Sequence, residues 1–394
     1  MGKIFPFIIK YWYYFFVANA ILMVFGFRDL YSALVVASVV YGTYSMTRIK
    51  WNTTDVFVAL ALIYCLLSYF FSDYRIELFY YGIKNQLSVM FLYFVARSAK
   101  FRDDSFIENF KWPMLFIIVS GIALYFFPPG WYTAFRYSRL IESEGSLNFY
   151  EATRMSSFFA HPYFLGFGSC FMVIYVMKRI LMDKQNSKWL YAAFLLSLVT
   201  LFFSQMRVAI AYTLLFMALV SAYAIFIDKR NASFFKIILV IIPLGIVLFY
   251  LIINSINDDF LYYITQRTTE KQGGLIEERI LIFRGFFKYI SILGYGLGRF
   301  GHEALSYHLV SIADAEYLRL LCELGVVGSF ILLAPIVYCA YKGFRNLKKN
   351  FFETFVVFFF FFAMIGATPL EMTMQHNFLL WFCAGHIISK TSRG

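Results

Sequence analysis

Charged residues are scarce in this chain, and apolar and aromatic side chains dominate what remains. Of its 394 residues, 15% are charged, 61% are hydrophobic and 22% are aromatic. A soluble domain is closer to half apolar. Apolar runs long enough to cross a bilayer recur from end to end, so the sequence predicts an all-α, polytopic integral membrane protein.

Several familiar motifs are also missing. The five cysteines lie in or near apolar runs without metal-ligand spacing, which predicts small buried hydrophobes and no disulfide framework. There is no ATP-binding loop, no Asp-x-Asp motif for a metal ion and no internal repeat. The first apolar run lacks a small-residue cleavage site, so no cleavable signal peptide is expected. No cofactor and no bound metal are predicted.

Hydropathy predicts one transmembrane domain over residues 1–394, with about twelve helices that cross the membrane. The predicted spans are 11–27, 30–47, 54–71, 77–96, 112–127, 156–177, 189–204, 208–227, 237–256, 316–341, 351–367 and 376–389. Two long connections remain on one side of the membrane. They are a first periplasmic loop at 128–155 and a large periplasmic loop at 257–314, before the tenth span.

The basic residues predict the orientation of the chain. With both termini in the cytoplasm, the inner segments hold 21 of the 35 Lys and Arg, and each short outer connection holds at most one. The net charge of +12 therefore reflects topology, and no nucleic-acid partner is expected. Because both long loops lie outside, an active site would face the periplasm or its equivalent.

Two basic segments lie at predicted outer ends of spans. Residues 151–168 read EATRMSSFFAHPYFLGFG, in which Arg154 and His161 share a helical face if the helix starts early, although Pro162 favours a boundary or a kink. Arg207 follows in the turn FFSQMRVAIAY. Each arginine alone also fits an ordinary interfacial side chain.

The large outer loop contains a predicted amphipathic helix at 275–290, LIEERILIFRGFFKYI. A helical wheel places Arg279 on the apolar face and Arg284 on the polar face beside Glu277. A charge on an apolar face needs an anionic partner, which could be a carboxylate of this chain or a phosphate. The glycines of 293–303, LGYGLGRFGHE, predict tight turns rather than a nucleotide site, because no strand precedes them.

Charges inside predicted spans are a further indication of function. In SIADAEYLRLLCELGVVG, residues 311–328, Glu316, Arg319 and Glu323 share one helical face. Each charge costs at least ~2.5–3.5 kcal/mol at the bilayer centre. Lys84 interrupts the fourth span, which indicates either a functional site or a structural ion pair.

These segments, in their order along the chain, resemble a known family. The motifs are Arg-x6-His-Pro-x-x-Leu-Gly at 154–166, Ser-x-x-Arg at 204–207, Arg-x3-Phe-Arg in the large loop, Leu-Gly-Tyr-Gly-Leu-Gly, and Tyr-Leu-x-x-Leu-x-Glu-Leu-Gly-x-x-Gly at 317–328. They resemble the O-antigen polymerase and O-antigen ligase superfamily, the Wzy and WaaL type, over about residues 150–340. Each motif alone is loose, whereas their order and shared outer placement are specific.

The resemblance implies a glycosyltransferase that acts on undecaprenyl-diphosphate-linked oligosaccharides at the periplasmic face of the bacterial inner membrane. The ligase branch typically has a His-Asn pair where this chain has Asp314 and Ala315, so the polymerase branch of lipopolysaccharide biosynthesis is the closer resemblance. The alternatives are an O-antigen ligase that transfers glycan to lipid A core, and a flippase or transporter of the lipid-linked glycan. Expected partners are the lipid-linked donor and acceptor, membrane lipid, a chain-length regulator and a flippase.

Site roles follow from that reaction, in which a diphosphate leaves and an acceptor hydroxyl loses a proton. Arginines would bind the diphosphate without a metal ion, Asp314 would act as the base, and the two glutamates would orient the arginines. The candidate catalytic residues are Asp314, Glu316, Glu323 and His161. The candidate substrate-binding residues are Arg154, Arg207, Arg279, Arg284, Tyr317 and Lys84.

The predicted orientation is testable by cysteine labelling in intact spheroplasts. Cysteines introduced within 97–111 or 342–350 should be shielded from a membrane-impermeant thiol reagent, and those within 136–150 or 262–272 should react. The reverse pattern would place the long loops in the cytoplasm.

Overall fold

A computed structural model of the chain describes residues 4–25, 31–71, 75–101, 103–144, 154–159, 162–224, 284–312, 315–370 and 374–391. Over these residues the regular structure is helical and no strand occurs, which confirms the all-α prediction. Contacts divide the chain into two compact units. The first is Met1–Tyr212 with Ser291–Gly394, and the second is Thr213–Ile290.

The helices are numbered along the chain. They are α1 Ile4–Lys10, α2 Trp12–Val24, α3 Tyr31–Met46, α4 Thr53–Leu67, α5 Ile76–Gly82, α6 Ser88–Arg97, α7 Ser105–Phe126, α8 Gly130–Glu144, α9 Pro162–Leu181, α10 Lys188–Ser204, α11 Arg207–Tyr223, α12 Glu316–Glu323, α13 Gly325–Arg345, α14 Phe351–Ala363 and α15 Met374–Thr391. A π-helical turn, Ile83–Leu87, joins α5 to α6. Short 3₁₀ turns occur at Ser68–Phe71, Ala99–Phe101 and His302–Tyr307.

Each predicted span except 237–256, which lies outside the described residues, coincides with a described helix or with two consecutive ones. Among the described residues, four helical segments are long and apolar enough to cross a membrane: Thr53–Phe71, Ser105–Phe126, Pro162–Leu181 and Gly325–Arg345. The pair Ile4–Lys10 and Trp12–Leu22, bent by 76°, would make a fifth. Several apolar helices therefore support a membrane protein, and the twelve crossings stay a prediction. The five cysteines are buried, as expected.

The predicted tenth span, 316–341, is wrong as a single helix, because the helix breaks between Glu323 and Gly325. Gly325 has a φ of 67°, and a Cβ there would overlap the carbonyl oxygen of Ile292. The carbonyl of Glu323 accepts a hydrogen bond from the backbone N–H of Gly296, at 2.8 Å. A helix C-terminus leaves carbonyls without partners, so the break allows the glycine-rich segment 293–303 to bind them.

Ion pairs join the helices at one end of the first unit. Asp55 is fully buried and accepts hydrogen bonds from Nε of Arg97 at 2.9 Å and from the hydroxyl of Tyr93 at 2.8 Å. Asp104 binds both Lys178 and Lys390 at 2.6 Å. Asp104, Lys178 and Lys390 belong to segments predicted to be cytoplasmic. Asp55 lies in the first turn of α4, and Arg97 is the last residue of α6.

The charges around Asp104 determine its titration. Burial and the neighbouring carboxylate of Glu353 raise the pKa of Asp104, but Lys390 and Lys178 outweigh them, and the net effect is a pKa below the usual value. The carboxylate therefore stays ionised, and its two lysines connect α9 and α15 to the start of α7.

Arg97 should be needed for stability because its removal leaves Asp55 buried without a counter-charge. Breaking a buried ion pair from one side typically costs ~3–5 kcal/mol. We expect Arg97→Leu to lower the apparent melting temperature of the detergent-purified protein clearly more than Arg345→Leu, which removes an exposed charge. Equal melting temperatures for the two variants would show that the Arg97–Asp55 pair contributes no more than a surface charge.

Candidate functional site

Three charged side chains on α12 form a fully buried cluster, the α12 triad: Glu316, Arg319 and Glu323, each 0% exposed. Nη1 of Arg319 donates to Oε2 of Glu323 at 2.7 Å, and Nη2 donates to Oε1 of Glu316. The predicted shared face is confirmed, since residues three and four apart stack on a helix. With two carboxylates and one guanidinium, the triad has a formal charge of −1.

The remaining carboxylate oxygens of the triad bind backbone amides from distant segments. Oε1 of Glu323 accepts from the N–H of Phe300 at 2.9 Å, and Oε2 of Glu316 accepts from the N–H of Leu370 at 3.2 Å. A hydrogen bond to a charged group contributes ~1.5–3 kcal/mol. The glutamates therefore tie the glycine-rich segment and the α14–α15 connection to α12.

This arrangement corrects the predicted roles of Glu316 and Glu323. They were expected to orient the arginines of the diphosphate site, but they hold Arg319 of their own helix and two backbone amides. Because neither side chain reaches the surface and each of their four carboxylate oxygens already has a hydrogen-bond partner, we assign them a positioning role rather than direct acid–base catalysis.

The glycine-rich segment packs by its backbone against two helices. Gly294 has a φ of 84°, and a Cβ there would overlap the carbonyl oxygen of Glu323. Gly298 has a φ of 85°, and its Cβ would overlap the carbonyl oxygen of Leu78 on α5. A side chain at either position would therefore be both strained and blocked. The predicted tight turns with close backbone approach are confirmed.

Arg154 lies before α9 and is bound to the turn between α10 and α11. The residue is 7% exposed. Its Nε donates to the carbonyl of Ser204 at 2.9 Å, and its Nη2 lies 2.7 Å from Sδ of Met206. Carbonyls at a helix C-terminus carry partial negative charge, so a guanidinium is a favourable cap there. Arg154 thus holds the turn in place.

The condition under which Arg154 and His161 would share a helical face, an early helix start, is not met. The helix begins at Pro162, where the missing N–H costs nothing because first-turn amides have no intrahelical partner. Arg154 precedes it in non-helical backbone, and His161 lies outside the described residues. The predicted boundary at Pro162 is therefore confirmed, and the predicted span start at 156 is six residues too early.

The turn held by Arg154 carries Arg207, an exposed side chain at the first residue of α11. Gly166 on α9 packs against the same turn, since a Cβ there would lie 2.6 Å from Cγ of Met206. The motif that ends at Gly166 and the motif that ends at Arg207 are therefore one structural unit, although 41 residues separate them along the chain.

Sequence reasoning missed a second buried arginine in this region. Arg136 on α8 is 9% exposed, and its Nη2 donates to the carbonyl of Arg154. On the same helix the Tyr132 hydroxyl donates to the carbonyl of Ser157 at 2.8 Å. Burial raises the pKa of Tyr132, which keeps that donor protonated. The available signal was the spacing of four between Tyr132 and Arg136, which places both on one face.

The α14–α15 connection joins the arginine region to the α12 triad. A Cβ on Gly366 would lie 3.2 Å from Cγ2 of Val208, the residue after Arg207. The next residue, Ala367, accepts a hydrogen bond from the N–H of Glu316 at 3.1 Å. Arg154, Arg207 and the triad therefore belong to one contiguous region at the end of the unit opposite Asp104. We call it the outer-end site, after the side of the membrane predicted for it.

The other predicted site residues are more scattered. Tyr317 is half-buried and donates its hydroxyl to the carbonyl of Phe361 at 2.7 Å. Lys84 is half-buried, with its ammonium 6.0 Å from the centre of the Tyr31 ring. Arg284 is exposed within the second unit, in keeping with the polar face predicted for it. Asp314 and Arg279 lie outside the described residues.

One group of side chains in the described part of the chain has the types and spacing to hold a metal ion: Asp104, Glu353 and His386. It lies at the end opposite the outer-end site. Lys390 binds both carboxylates, at 2.6 Å and 2.8 Å. Because this group already has cationic partners, a divalent cation would meet like charge at close range.

No protein-family model matches the chain, and no curated protein or solved structure shows a significant match to it.

The α12 triad should behave as one unit in a stability experiment. Arg319→Leu leaves two buried carboxylates without their guanidinium, and we expect a loss of ~3–5 kcal/mol with little folded protein. The triple variant Glu316→Gln, Arg319→Leu and Glu323→Gln keeps acceptors for the two backbone amides without any charge. It should recover much of the folded yield measured by size-exclusion chromatography. A normal yield of Arg319→Leu alone would contradict the structural role.

Proposed function

We propose that this protein is a polysaccharide polymerase of the Wzy type. It would join undecaprenyl-diphosphate-linked repeat units into O-antigen or a related surface polysaccharide at the periplasmic face of the bacterial inner membrane. One observation carries the proposal. Buried Arg154 holds the turn that presents exposed Arg207, beside a triad whose carboxylates are occupied by internal contacts.

The electrostatics of this region suit an anionic group. Arg207 is exposed and has no ion-pair partner among the described residues. It stands at the first residue of α11, where the free backbone N–H groups add positive potential. Glu316 and Glu323 are bound to Arg319, so they leave the charge of Arg207 available. A guanidinium binds phosphate oxygens through two parallel hydrogen bonds.

The reaction fits these charges. The bond between the anomeric carbon of the growing chain and the diphosphate oxygen breaks, and a bond forms between that carbon and a hydroxyl oxygen of the acceptor sugar. The hydroxyl proton passes to a base, for which Asp314 remains the candidate. Negative charge develops on the departing undecaprenyl diphosphate, and Arg207 would stabilise it there. Arg154 and Arg136 act as positioning residues. Arg154 donates to the carbonyl of Ser204 in the turn, and Arg136 donates to the carbonyl of Arg154.

The two alternative functions predict different cellular products. A deletion strain should produce lipopolysaccharide that carries a single repeat unit if the protein is the polymerase. Long lipid-linked chains that are never transferred to lipid A core would indicate the ligase. Lipid-linked units confined to the cytoplasmic leaflet would indicate the flippase. Gel banding of lipopolysaccharide, with analysis of extracted lipid-linked glycans, separates the three.

Loss of Arg207 and loss of Arg154 should have different effects. Arg207→Ala should reduce polymerisation at least ~100-fold with an unchanged melting temperature, by analogy with the loss of one oxyanion donor. Arg207→Lys should restore only part of the activity, because an ammonium lacks the two-pronged geometry. Arg154→Ala should lower both activity and melting temperature, because it releases the 204–206 turn.

The measurement is polymer length from purified protein and lipid-linked repeat units, with Arg345→Ala at the opposite end as the control. Near-normal polymer from Arg207→Ala would remove this residue from the diphosphate site.

The proposed reaction should not need a metal ion. The sequence has no Asp-x-Asp motif, and arginines would neutralise the diphosphate. Polymerisation by the purified protein should therefore continue in excess chelator. Activity that is lost in chelator and returns with Mg²⁺ or Mn²⁺ would contradict an arginine-only mechanism.

A further inference from the structure

The π-helical turn Ile83–Leu87 interrupts the helix of the predicted fourth span and contains Lys84, Asn85 and Gln86. It lies near the middle of the segment that runs from Ile76 to Arg97. Single π-helical turns within α-helices occur frequently at functional sites, because the extra residue rotates side chains away from the regular helical pattern. Polar residues at this depth in a predicted span add to that expectation.

The amide side chains of this turn are buried and unpaired. Asn85 is 0% exposed, and neither its Nδ2 nor its Oδ1 has a hydrogen-bond partner in the described part of the chain. Gln86 is 7% exposed, and the same holds for its Nε2. Buried polar side-chain atoms in folded proteins are mostly hydrogen-bonded, so three unsatisfied atoms in consecutive residues require a physical reason. Together they offer two amide nitrogens as donors and one carbonyl oxygen as an acceptor.

The turn lies directly beside the outer-end site. Gly82, the residue before it, packs on the glycine-rich segment, since a Cβ there would lie 2.8 Å from Cγ of Leu297. Three residues after Leu297, the N–H of Phe300 binds Glu323 of the α12 triad at 2.9 Å. Asn85 is three residues after Gly82, so the two Cα atoms are separated along the helix axis by roughly 5 Å. Part of the turn reaches the surface of the protein, because the side chains of Ile83 and Lys84 are only half-buried.

These observations indicate the chemistry of a ligand. An uncharged amide that offers both a donor and an acceptor matches the hydroxyl and acetamido groups of a sugar, each of which can donate and accept. A diphosphate offers acceptors only, so it would leave Oδ1 of Asn85 unsatisfied.

We propose that the π-helical turn is a carbohydrate subsite, in which Asn85 and Gln86 hydrogen-bond a sugar of the lipid-linked substrate. The proposal rests on the proposed function for the identity of that substrate. It separates two binding tasks: Arg207 at the outer-end site holds the diphosphate, and the amides of the turn hold the sugar. Asn85 and Gln86 are then binding residues that make no contact with the diphosphate.

The test compares two lipids on the full-length protein in nanodiscs. One is bare undecaprenyl diphosphate, and the other is the undecaprenyl-diphosphate-linked unit extracted from the deletion strain. Affinities come from the ligand-dependent rise in melting temperature. The wild-type protein should bind the glycan-bearing lipid more tightly than the bare lipid.

The main variant is Asn85→Leu, which has a similar volume and no polar atoms. It should weaken binding of the glycan-bearing lipid at least about tenfold, as expected for the loss of two hydrogen bonds. Binding of the bare lipid should not change. Without ligand, its melting temperature should equal or exceed that of the wild type, because the variant removes an unsatisfied buried amide. Gln86→Leu is the second variant, with the same expected direction, in case Asn85→Leu does not fold.

The matched control is Ser169→Ala on α9. The Ser169 side chain is also fully buried, and its hydroxyl has no hydrogen-bond partner among the described residues. This variant should leave both affinities unchanged.

Three results would overturn the subsite. They are equal wild-type affinity for the two lipids, full binding of the glycan-bearing lipid by both leucine variants, and an equal loss of both lipids by those variants. A lower melting temperature of Asn85→Leu with unchanged binding would show that the amides only hold structural water. If the wild-type protein binds neither lipid, the proposed function fails and the subsite with it. If the bare lipid alone binds, the subsite fails and the diphosphate site stands.

Discussion

The structure of the first unit depends on how one arginine is neutralised in an apolar interior. Arg319 is fully buried, and its guanidinium pairs with Glu316 and Glu323 one turn away on each side. Removing an ion from water costs several kcal/mol, so the group is tolerable only if all of its members are paired. Two carboxylates for one guanidinium leave two oxygens that need donors. Those donors come from Phe300 and Leu370, and the loops that carry them are placed accordingly.

The consequences extend beyond the triad. The glycine-rich segment brings its backbone against the end of α12 at Gly294 and against α5 at Gly298, so neither residue has space for a side chain. The helix breaks where that segment binds, and α13 begins with another left-handed glycine. The α14–α15 connection, bound to Glu316, also contacts the residue next to Arg207. A buried charge cluster thus aligns the segments around an exposed cationic site, which is a better-supported use of such clusters than stabilisation.

Buried and exposed arginines have different tasks here. Arg154 and Arg136 donate to backbone carbonyls and hold the local chain, whereas Arg207 presents its charge outward from the turn that they support. The opposite end of the unit differs, since the carboxylates of Asp55, Asp104 and Glu353 each pair with a cation. Among the described residues, an exposed cation at one end and paired charges at the other are the arrangement that the proposed binding of an anionic group on one side would need.

The sequence by itself determined the class of the protein and the local geometry of its charges. Apolar runs predict helices that suit a membrane, and the spacing of three and four places the triad on one face, because neighbours on a helix depend only on positions along the chain. The glycine spacing likewise predicted tight turns. The tertiary structure alone decided the partners of the glutamates, the break before Gly325 and the burial of Arg136. The position of a carboxylate in the sequence does not show which backbone amide it will bind. Glu316 and Leu370 are 54 residues apart, and only the packing of the chain brings that amide to the carboxylate.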